Sequence, residues 1–580
     1  MADATTLKIA LAQLNPVLGD IAGNVEKLKR ARNEAAVQGA DLVLYPELFV
    51  TGYPPEDLVR KPAFAAASRA AVEQLAGELG PGPAVLVGCV WPEGDKVYNA
   101  VALLDEERIT AVRFKVDLPN YGVFDEKRVF DAGPLPGPIS FRGVKIGVPI
   151  CEDIWKEEVC ECLDECGAEI LLVPNGSPFD WKKPDVRVNI VAARVTETGL
   201  PLAYLNQIGG QDELVFDGAS FVLNPGSALA VQLPAWEEAI VLTEWEKGPD
   251  GWRCKPGLKA TIEEEDAAAY HACVLGLRDY VGKNGFPGVV LGLSGGIDSA
   301  LVAAIAADAL GPERVHCVML PYRYTSNESL SDAAQCAEAL GVRYDTVPIA
   351  PAVDGLYGML APIFKGRKPD LAEENVQSRV RGTTLMAISN KLGGMLVTTG
   401  NKSEMSVGYA TIYGDMNGGF NPIKDLYKME VYRLSRWRNA HLSKGALGPR
   451  GVVIPENILA KAPSAELREN QKDQDSLPPY EELDDILECL VENEMPLPEI
   501  IARGHAPETV KKIERLLYLA EYKRRQAAPG VKISSRSFGR DRRYPITNKF
   551  REDLSPGKAT GKISSAPSVV APRADGGDVS

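Results

Sequence analysis

The chain has 580 residues, 45% of them hydrophobic and 25% charged, a composition ordinary for a globular protein and a length that accommodates two substantial domains. Its 64 Lys and Arg against 79 Asp and Glu leave a formal charge of −15, an acidic balance that disfavours a nucleic-acid substrate. No apolar run reaches the ~18 residues of a membrane helix, no basic segment precedes a long apolar one at the start, and 10 cysteines are too sparse for a disulfide framework.

These features lead us to expect a cytoplasmic protein with reduced thiols and no membrane partner. Residues 7–15 read as a strand, a helical pattern runs to about residue 40, and 41–48 reads as a second strand. Further strand-like runs follow at 84–90, 97–105, 144–151, 169–175, 200–209 and 219–224, interleaved with helices, which argues for sheets buried under helices. From 226 to 262 the pattern weakens to two short strands among Gly and Pro, and this stretch is expected to be a linker wrapped onto the first domain, 1–262. An acidic opening followed by helical periodicity to about 284 marks the first helix of a second domain, 263–555.

In the second domain, the apolar run 289–293 breaks at Ser294, Gly295 and Gly296, and an Ala-rich helical pattern begins near Asp298. Strand, tight turn and helix in that order suit phosphate, because glycines admit a close ligand and N–H groups at a helix start carry partial positive charge. No lysine lies in the turn, so it is not a Walker A loop. Strand 314–323, a helix to 340 and strand 342–349 continue the alternation and predict a doubly wound parallel sheet with ligands at the carboxyl ends of its strands. A polar helix at 374–391 is followed by a short strand and a loop in which Gly414, Gly418 and Gly419 flank Asp415 and Asn417, expected to form a mobile lid. Residues 556–580, rich in Pro, Ser and Gly, are expected to be a disordered tail.

Three reactive groups close strands in the first half: Glu47, Lys115 and Cys151. With only 4 histidines in the chain, a nucleophilic cysteine is expected to use another base. Cys160, Cys162 and Cys166 follow at CxC and CxxxC spacing without a nearby His and read as incidental thiols rather than zinc ligands. Taken together, LYPELFVTGYP, FKVDLPNYGVFDEKR and GVPICEDIW resemble the nitrilase superfamily over about residues 7–225. The resemblance implies an αββα sandwich in which the Cys151 thiolate attacks an amide carbonyl, Glu47 shuttles the proton and Lys115 steadies the oxyanion while depressing the thiol pKa. It also assigns glutamine contacts to Tyr121, Ser177, Lys183 and Glu126; on its residues alone, Glu126 reads equally as a loop carboxylate beside Lys127 and Arg128.

The SGGIDS turn resembles the ATP pyrophosphatases, and ENVQSRVR, VTTGNKSE, YGDMNGG and the stretch 529–548 resemble NAD synthetases, so that residues 7 to about 550 are similar to the glutamine-dependent NAD synthetase family. That resemblance implies a Rossmann-like ATP-pyrophosphatase second domain and ammonia passed internally from glutamine to an adenylated deamido-NAD. It implies ATP contacts at Gly292, Leu293, Ser294, Gly295, Gly296, Ile297, Asp298, Ser299, Thr399 and Lys428, and deamido-NAD contacts at Asn375, Glu404 and Lys532. Asp298 and Glu404 become the carboxylates for Mg2+, and a homo-oligomer is implied as well. Two other readings stand beside it: an amidotransferase of the same class acting on tRNA or a different acid, and a catalytically silent nucleotide-sensing scaffold.

Overall fold

The computed structural model describes residues 5–263 and 265–552. The stretch 556–580, expected to be a tail, lies outside the described residues.

Two sheets face each other in the first half. One has seven strands in the order Gly251–Cys254, Ala239–Gly248, Thr6–Gln13, Leu42–Leu44, Ala84–Glu93, Lys96–Asp105, Arg108–Phe114. The other has six, in the order Ala228–Gln232, Phe221–Asn224, Leu202–Asn206, Ile170–Asn175, Val144–Gly147, Ile139–Phe141. Period-two alternation decides which side chain goes where. Leu7, Ile9 and Leu11 point between the sheets with Ile170, Leu172, Leu205 and Val222, whereas Ala10 and Ala12 point outward under the helices Ile21–Val37 and Pro62–Glu78. Leu171 and Val173 likewise turn away from the interior, beneath Glu158–Glu165 and Lys183–Thr198. The result is a helix-sheet-sheet-helix sandwich.

Two local expectations are corrected. The run 200–209 is not one strand: it leaves the six-stranded sheet after Asn206, and Ile208–Gln211 forms a separate hairpin with Leu214–Asp217. Nor is 226–262 a wrapped linker, because Ala239–Gly248 pairs along the whole of Thr6–Gln13 and Ala228–Gln232 edges the other sheet. These strands carry little periodic signal of their own, and the place of Ala239–Gly248 is set by a partner over 200 residues away in sequence, as in Thr6 against Glu246.

The second half is a four-stranded parallel sheet ordered Arg343–Thr346, Val315–Met319, Val289–Gly292, Met395–Leu396. Val289 and Leu291 pack on the Glu265–Lys283 and Ile297–Leu310 side, while Val290 and Val318 pack toward Ala350–Phe364 and Leu371–Leu392. Helices therefore cover both faces, and the order reverses beside Val289–Gly292, which puts the turn after it at a topological switch point. A helical group, Tyr480–Val491, Leu497–Ala502 and Pro507–Leu519, packs with Val407 and Tyr427 as a further cluster.

The halves share a core. Phe179, Ile208 and Val215 from the sandwich bury among side chains of Glu265–Lys283. Asp279 accepts from Asn15 Nδ2 and from the Gly210 N–H, both at 2.7 Å, and Lys283 Nζ donates to the Gly210 carbonyl at 2.8 Å. The stretch 529–548 returns to the sandwich, where the Lys532 N–H donates to Glu213 O at 2.8 Å and Ile533 O accepts from Trp181 N–H at 3.0 Å.

Candidate active sites

Glu47, Lys115 and Cys151 lie just past the ends of Leu42–Leu44, Arg108–Phe114 and Val144–Gly147, three strands whose ends meet at one rim of the sandwich. All three are buried. Lys115 Nζ donates to Glu47 Oε1 at 2.7 Å and to Glu126 Oε1 at 2.9 Å. Glu126 also accepts from the Tyr53 hydroxyl at 2.8 Å, which makes it part of the cluster and not a loop carboxylate of Lys127 and Arg128. Glu47 Oε2 accepts from the Gly176 N–H at 2.8 Å, and the Asn99 side chain donates to Oε1 at 2.7 Å.

The electrostatics revise one expectation. Burial, then the Glu47 carboxylate, pushes the Cys151 thiol well above its ordinary value, against the opposing pull of Lys115. Lys115 is already neutralised: burial would lower its pKa, but Glu126 and Glu47 outweigh that and hold it well above the usual lysine value. At rest the Cys151 side chain is a thiol. Burial pushes Glu126 up to about 7, with Lys115 opposing and Glu47 adding to the rise.

Cys151 has φ 48°, the left-handed region, which costs a non-glycine residue about 1–2 kcal/mol and is kept only where the surroundings dictate it. One buried carboxylate does so. Asp153 accepts from the Ile150 N–H at 2.9 Å and from the Val116 and Asp117 N–H groups at 3.0 and 2.8 Å, tying the Cys151 turn to the segment that carries Lys115. Asp153 stands in the quoted GVPICEDIW motif, yet nothing in sequence distinguishes it from a surface carboxylate.

Around the mouth, Tyr121 donates to Glu152 Oε1 at 2.9 Å, and Lys183 lies over the Trp155 ring at 4.3 Å. No carboxylate is recorded within ion-pair distance of Lys183 among the described residues, and burial lowers its pKa. Ser177 is held more deeply: its N–H donates to Asn206 Oδ1 at 2.9 Å and its hydroxyl accepts from Arg187 Nε at 3.1 Å. A half-buried ammonium, Lys183, and a half-buried carboxylate, Glu152, at one mouth match the carboxylate and ammonium of a zwitterionic amino acid. Cys160 is buried, Cys162 half-buried and Cys166 exposed, and no cluster of three metal-ligating side chains occurs among the described residues.

The second site is a cavity of about 300 Å3 at the carboxyl ends of the parallel strands. Its lining includes Gly292, Leu293, Ser294, Gly295, Gly296, Ile297, Asp298, Ser299, Thr399 and Lys428, so all ten expected phosphate-site residues share one space. Gly295 has φ +80° and lies so close to the helix Asn327–Leu340 that an added β-carbon would stand 2.4 Å from the Ser329 carbonyl oxygen. The Ser294 and Ser299 hydroxyls bond each other at 3.1 Å beneath the turn.

Lys428 Nζ donates to Asp298 Oδ2 at 2.5 Å and to Glu404 Oε1 at 3.2 Å. Burial pushes Glu404 up to about 8, Lys428 opposing and Asp298 adding to the rise. Two carboxylates converging on one cation fit a Mg2+ site of the kind that takes its remaining oxygens from phosphates and water. Of the expected dinucleotide contacts, Glu404 lines this cavity, whereas Asn375 and Lys532 are not part of its lining. Asn375 Oδ1 accepts from Thr411 at 3.1 Å, and Lys532 pairs with Asp541 at 3.0 Å.

Sequence reading passed over Arg381, Lys461 and Glu466, which also line the cavity. Arg381 was within reach, since it closes the ENVQSRVR segment; Lys461 and Glu466 sit in an aperiodic stretch with no such signal. The glycine loop 414–419 packs closely: Asp415 N–H donates to Ser378 Oγ at 3.1 Å, and a β-carbon on Gly414 would stand 2.2 Å from that same oxygen. Gly414 therefore serves close approach to the helix Leu371–Leu392, while Gly418 and Gly419 lie against Thr398 and the strand Met395–Leu396.

Among the described residues no helix is long and apolar enough to cross a membrane. The carbon-nitrogen hydrolase family model matches residues 8–247 and the NAD synthase model matches 269–527. A glutamine-dependent NAD(+) synthetase of Rhodobacter capsulatus is 54% identical, covering 94% of this chain and 99% of its own. One of Thermotoga maritima is 42% identical, covering 94% of this chain and 100% of its own. In structure, the chain is similar to the glutamine-dependent NAD+ synthetase of Acinetobacter baumannii in complex with ADP, with a TM-score of 0.75 and 42% identity over 94% of this chain and 99% of that one.

Proposed function

Because the chain belongs to the glutamine-dependent NAD(+) synthetases, ATP-using amidoligases with a nitrilase-like domain joined to an NAD synthase domain, we propose that it makes NAD from deamido-NAD with nitrogen released at Cys151. Glutamine enters with its carboxylate toward Lys183 and Ser177 and its ammonium toward Glu152 and Tyr121. The Cys151 sulfur attacks the carboxamide carbon as its proton passes to Glu47, and the oxyanion that forms is stabilised by Lys115. Glu47 returns the proton to the departing nitrogen, ammonia leaves, and water, activated by the same carboxylate, hydrolyses the thioester to glutamate.

In bulk water ammonia would be largely protonated and lose its nucleophilic lone pair, so it has to travel inside the protein. The shared core and the Asn15, Asp279 and Lys283 bonds support a fixed seating of the two halves. In the second site the turn 294–299 holds the ATP phosphates, with Thr399 and Lys428 beside them. Asp298 and Glu404 would hold Mg2+, which when bound offsets the negative charge of the phosphates. The nicotinate carboxylate of deamido-NAD, contacted by Asn375, Glu404 and Lys532, takes AMP from ATP, pyrophosphate leaves, and ammonia displaces AMP to form the amide. A homo-oligomer belongs to the same reading; Met359 and Ile363 on the helix Ala350–Phe364, each 73% exposed, are apolar surface that a second copy would cover.

The observation that carries this reading is the convergence of Glu47, Lys115, Glu126 and Cys151 in one buried cluster on the chain that also holds the SGGIDS cavity. The test is a product assay with deamido-NAD and ATP. Cys151→Ala is expected to lose synthesis from glutamine and keep synthesis from added ammonium; loss of both would refute two separate sites.

A further inference from the structure

Asn99 lies on the strand Lys96–Asp105, outside every motif that pointed to the glutaminase site. It is 1% exposed, and it touches both ends of the acid-base apparatus. Its side-chain Nδ2 donates to Glu47 Oε1 at 2.7 Å, the same oxygen that Lys115 Nζ reaches at 2.7 Å. Its backbone carbonyl accepts the Lys115 N–H at 2.8 Å. The amide orientation follows from chemistry, since an amide oxygen turned toward a carboxylate would be repelled.

A carboxylate has about four lone-pair sites, two on each oxygen. On Glu47, Asn99 and Lys115 take both on Oε1, and the Gly176 N–H takes one on Oε2 at 2.8 Å. One acceptor position remains, on Oε2. Asn99 Oδ1 meanwhile is buried without a hydrogen-bond partner among the described residues, an arrangement that a shape-filling apolar side chain would avoid. What Asn99 contributes that such a side chain lacks is its N–H toward Glu47.

We propose that Asn99 is a positioning residue that saturates Glu47 Oε1, and so makes Oε2 the oxygen that takes the Cys151 proton and returns it to the leaving ammonia. The inference rests on the reading of Glu47 as the glutaminase base. Asn99 acts through Glu47 and touches no reacting atom. An N–H donated to the ionised carboxylate favours that form, so its removal moves the acid limb of glutamine hydrolysis to higher pH. The other titratable groups facing Glu47 are Lys115, Glu126, Cys151 and Tyr53, and all of them remain in the variants.

The test compares the parent protein with Asn99→Leu, similar in shape but without a donor, and Asn99→Asp, similar in shape and unable to donate when ionised. Glutamate release is followed against pH, and ammonium-driven NAD synthesis is followed as the measure of an intact fold. In both variants we expect kcat for glutamine to fall roughly tenfold on the acid side, with less loss on the alkaline side, KM for glutamine within about twofold, and ammonium-driven synthesis preserved. An acid limb at the parental pH in a variant that keeps ammonium-driven synthesis overturns the proposal. Should Asn99→Leu lose ammonium-driven synthesis as well, Asn99→Asp carries the comparison by itself. A parent protein without Cys151-dependent glutamate release would overturn the reading of the site; a parent that has it, beside variants with unshifted limbs, overturns only the role of Asn99.

Discussion

Replacing Gly295 by Ala tests the phosphate turn at its tightest point. The residue has φ +80°, where an L side chain costs about 1–2 kcal/mol relative to glycine. The added β-carbon would stand 2.4 Å from the Ser329 carbonyl oxygen and 2.9 Å from the Ser329 α-carbon. Both are backbone atoms of the helix Asn327–Leu340, so no side-chain rotation relieves the contact. Restoring an ordinary distance requires the turn to retreat by roughly 1 Å, and a displacement of that size at a reacting centre can cost on the order of 100-fold in rate. We therefore expect Gly295→Ala to lower kcat/KM for ATP by about 100-fold in ammonium-driven synthesis, with glutamine hydrolysis in the other half of the chain kept within about twofold. The assay is AMP release at varied ATP beside glutamate release on the same preparation. Ammonium-driven synthesis within about threefold of the parent would refute the claim that this turn must approach the ATP phosphates closely.

Two further outcomes follow from buried charges. Because burial and Glu47 push the Cys151 thiol well above its ordinary value, its alkylation by iodoacetamide without glutamine should climb about tenfold per pH unit to about pH 9 without levelling off. Peptide mass analysis separates Cys151 from the other thiols, and a plateau near neutral pH would reveal a resting thiolate and sink the argument. Arg438 and Asp308 are fully buried and paired at 2.5 and 2.9 Å, with Tyr270 donating to the same carboxylate at 2.7 Å. Arg438→Met should lower stability by about 3–5 kcal/mol and the thermal midpoint by on the order of 10 °C, whereas a midpoint change of only about 1 °C would show the pair to be dispensable.

Much of the chemistry was legible because it lies where chain direction and motif coincide. Glu47, Lys115, Cys151 and the turn 294–299 all follow strands, and strand ends are where an α/β fold collects ligands. What escaped reading depends on pairings between distant segments. The strand Ala239–Gly248 is short of pattern on its own and gains its place from Thr6–Gln13. Asn99 and Asp153 acquire roles only when the fold brings Glu47 and Val116 against them. Lys532 was named from family motif alone, and in the fold its side chain lies beside Asp541 and the Ser534 carbonyl, partners that no motif announces. The charge logic at Lys115 fell short rather than pointing the wrong way: the lysine does pull the Cys151 pKa down, but it is paired with two carboxylates, and burial and Glu47 outweigh its pull.

That failure leads to a more specific account of the proposed glutaminase step. In the resting cluster Lys115 is balanced by Glu47 and by Glu126, itself pushed up to about 7, and Cys151 stays protonated. A thiolate formed alone would add negative charge to a buried site that already holds two carboxylates, which is why burial and Glu47 both raise the thiol. If the proton moves to Glu47 as sulfur attacks, Glu47 becomes neutral and Lys115 loses one of its two counter-charges. Its ammonium then becomes free for new negative charge at the moment the oxyanion appears. Lys115 thus contributes more to the transition state than to the ground state, the condition under which an interaction raises kcat. On this account the ion pairs at Lys115 hold its charge in reserve until glutamine is bound, and the nucleophile stays a thiol in the meantime.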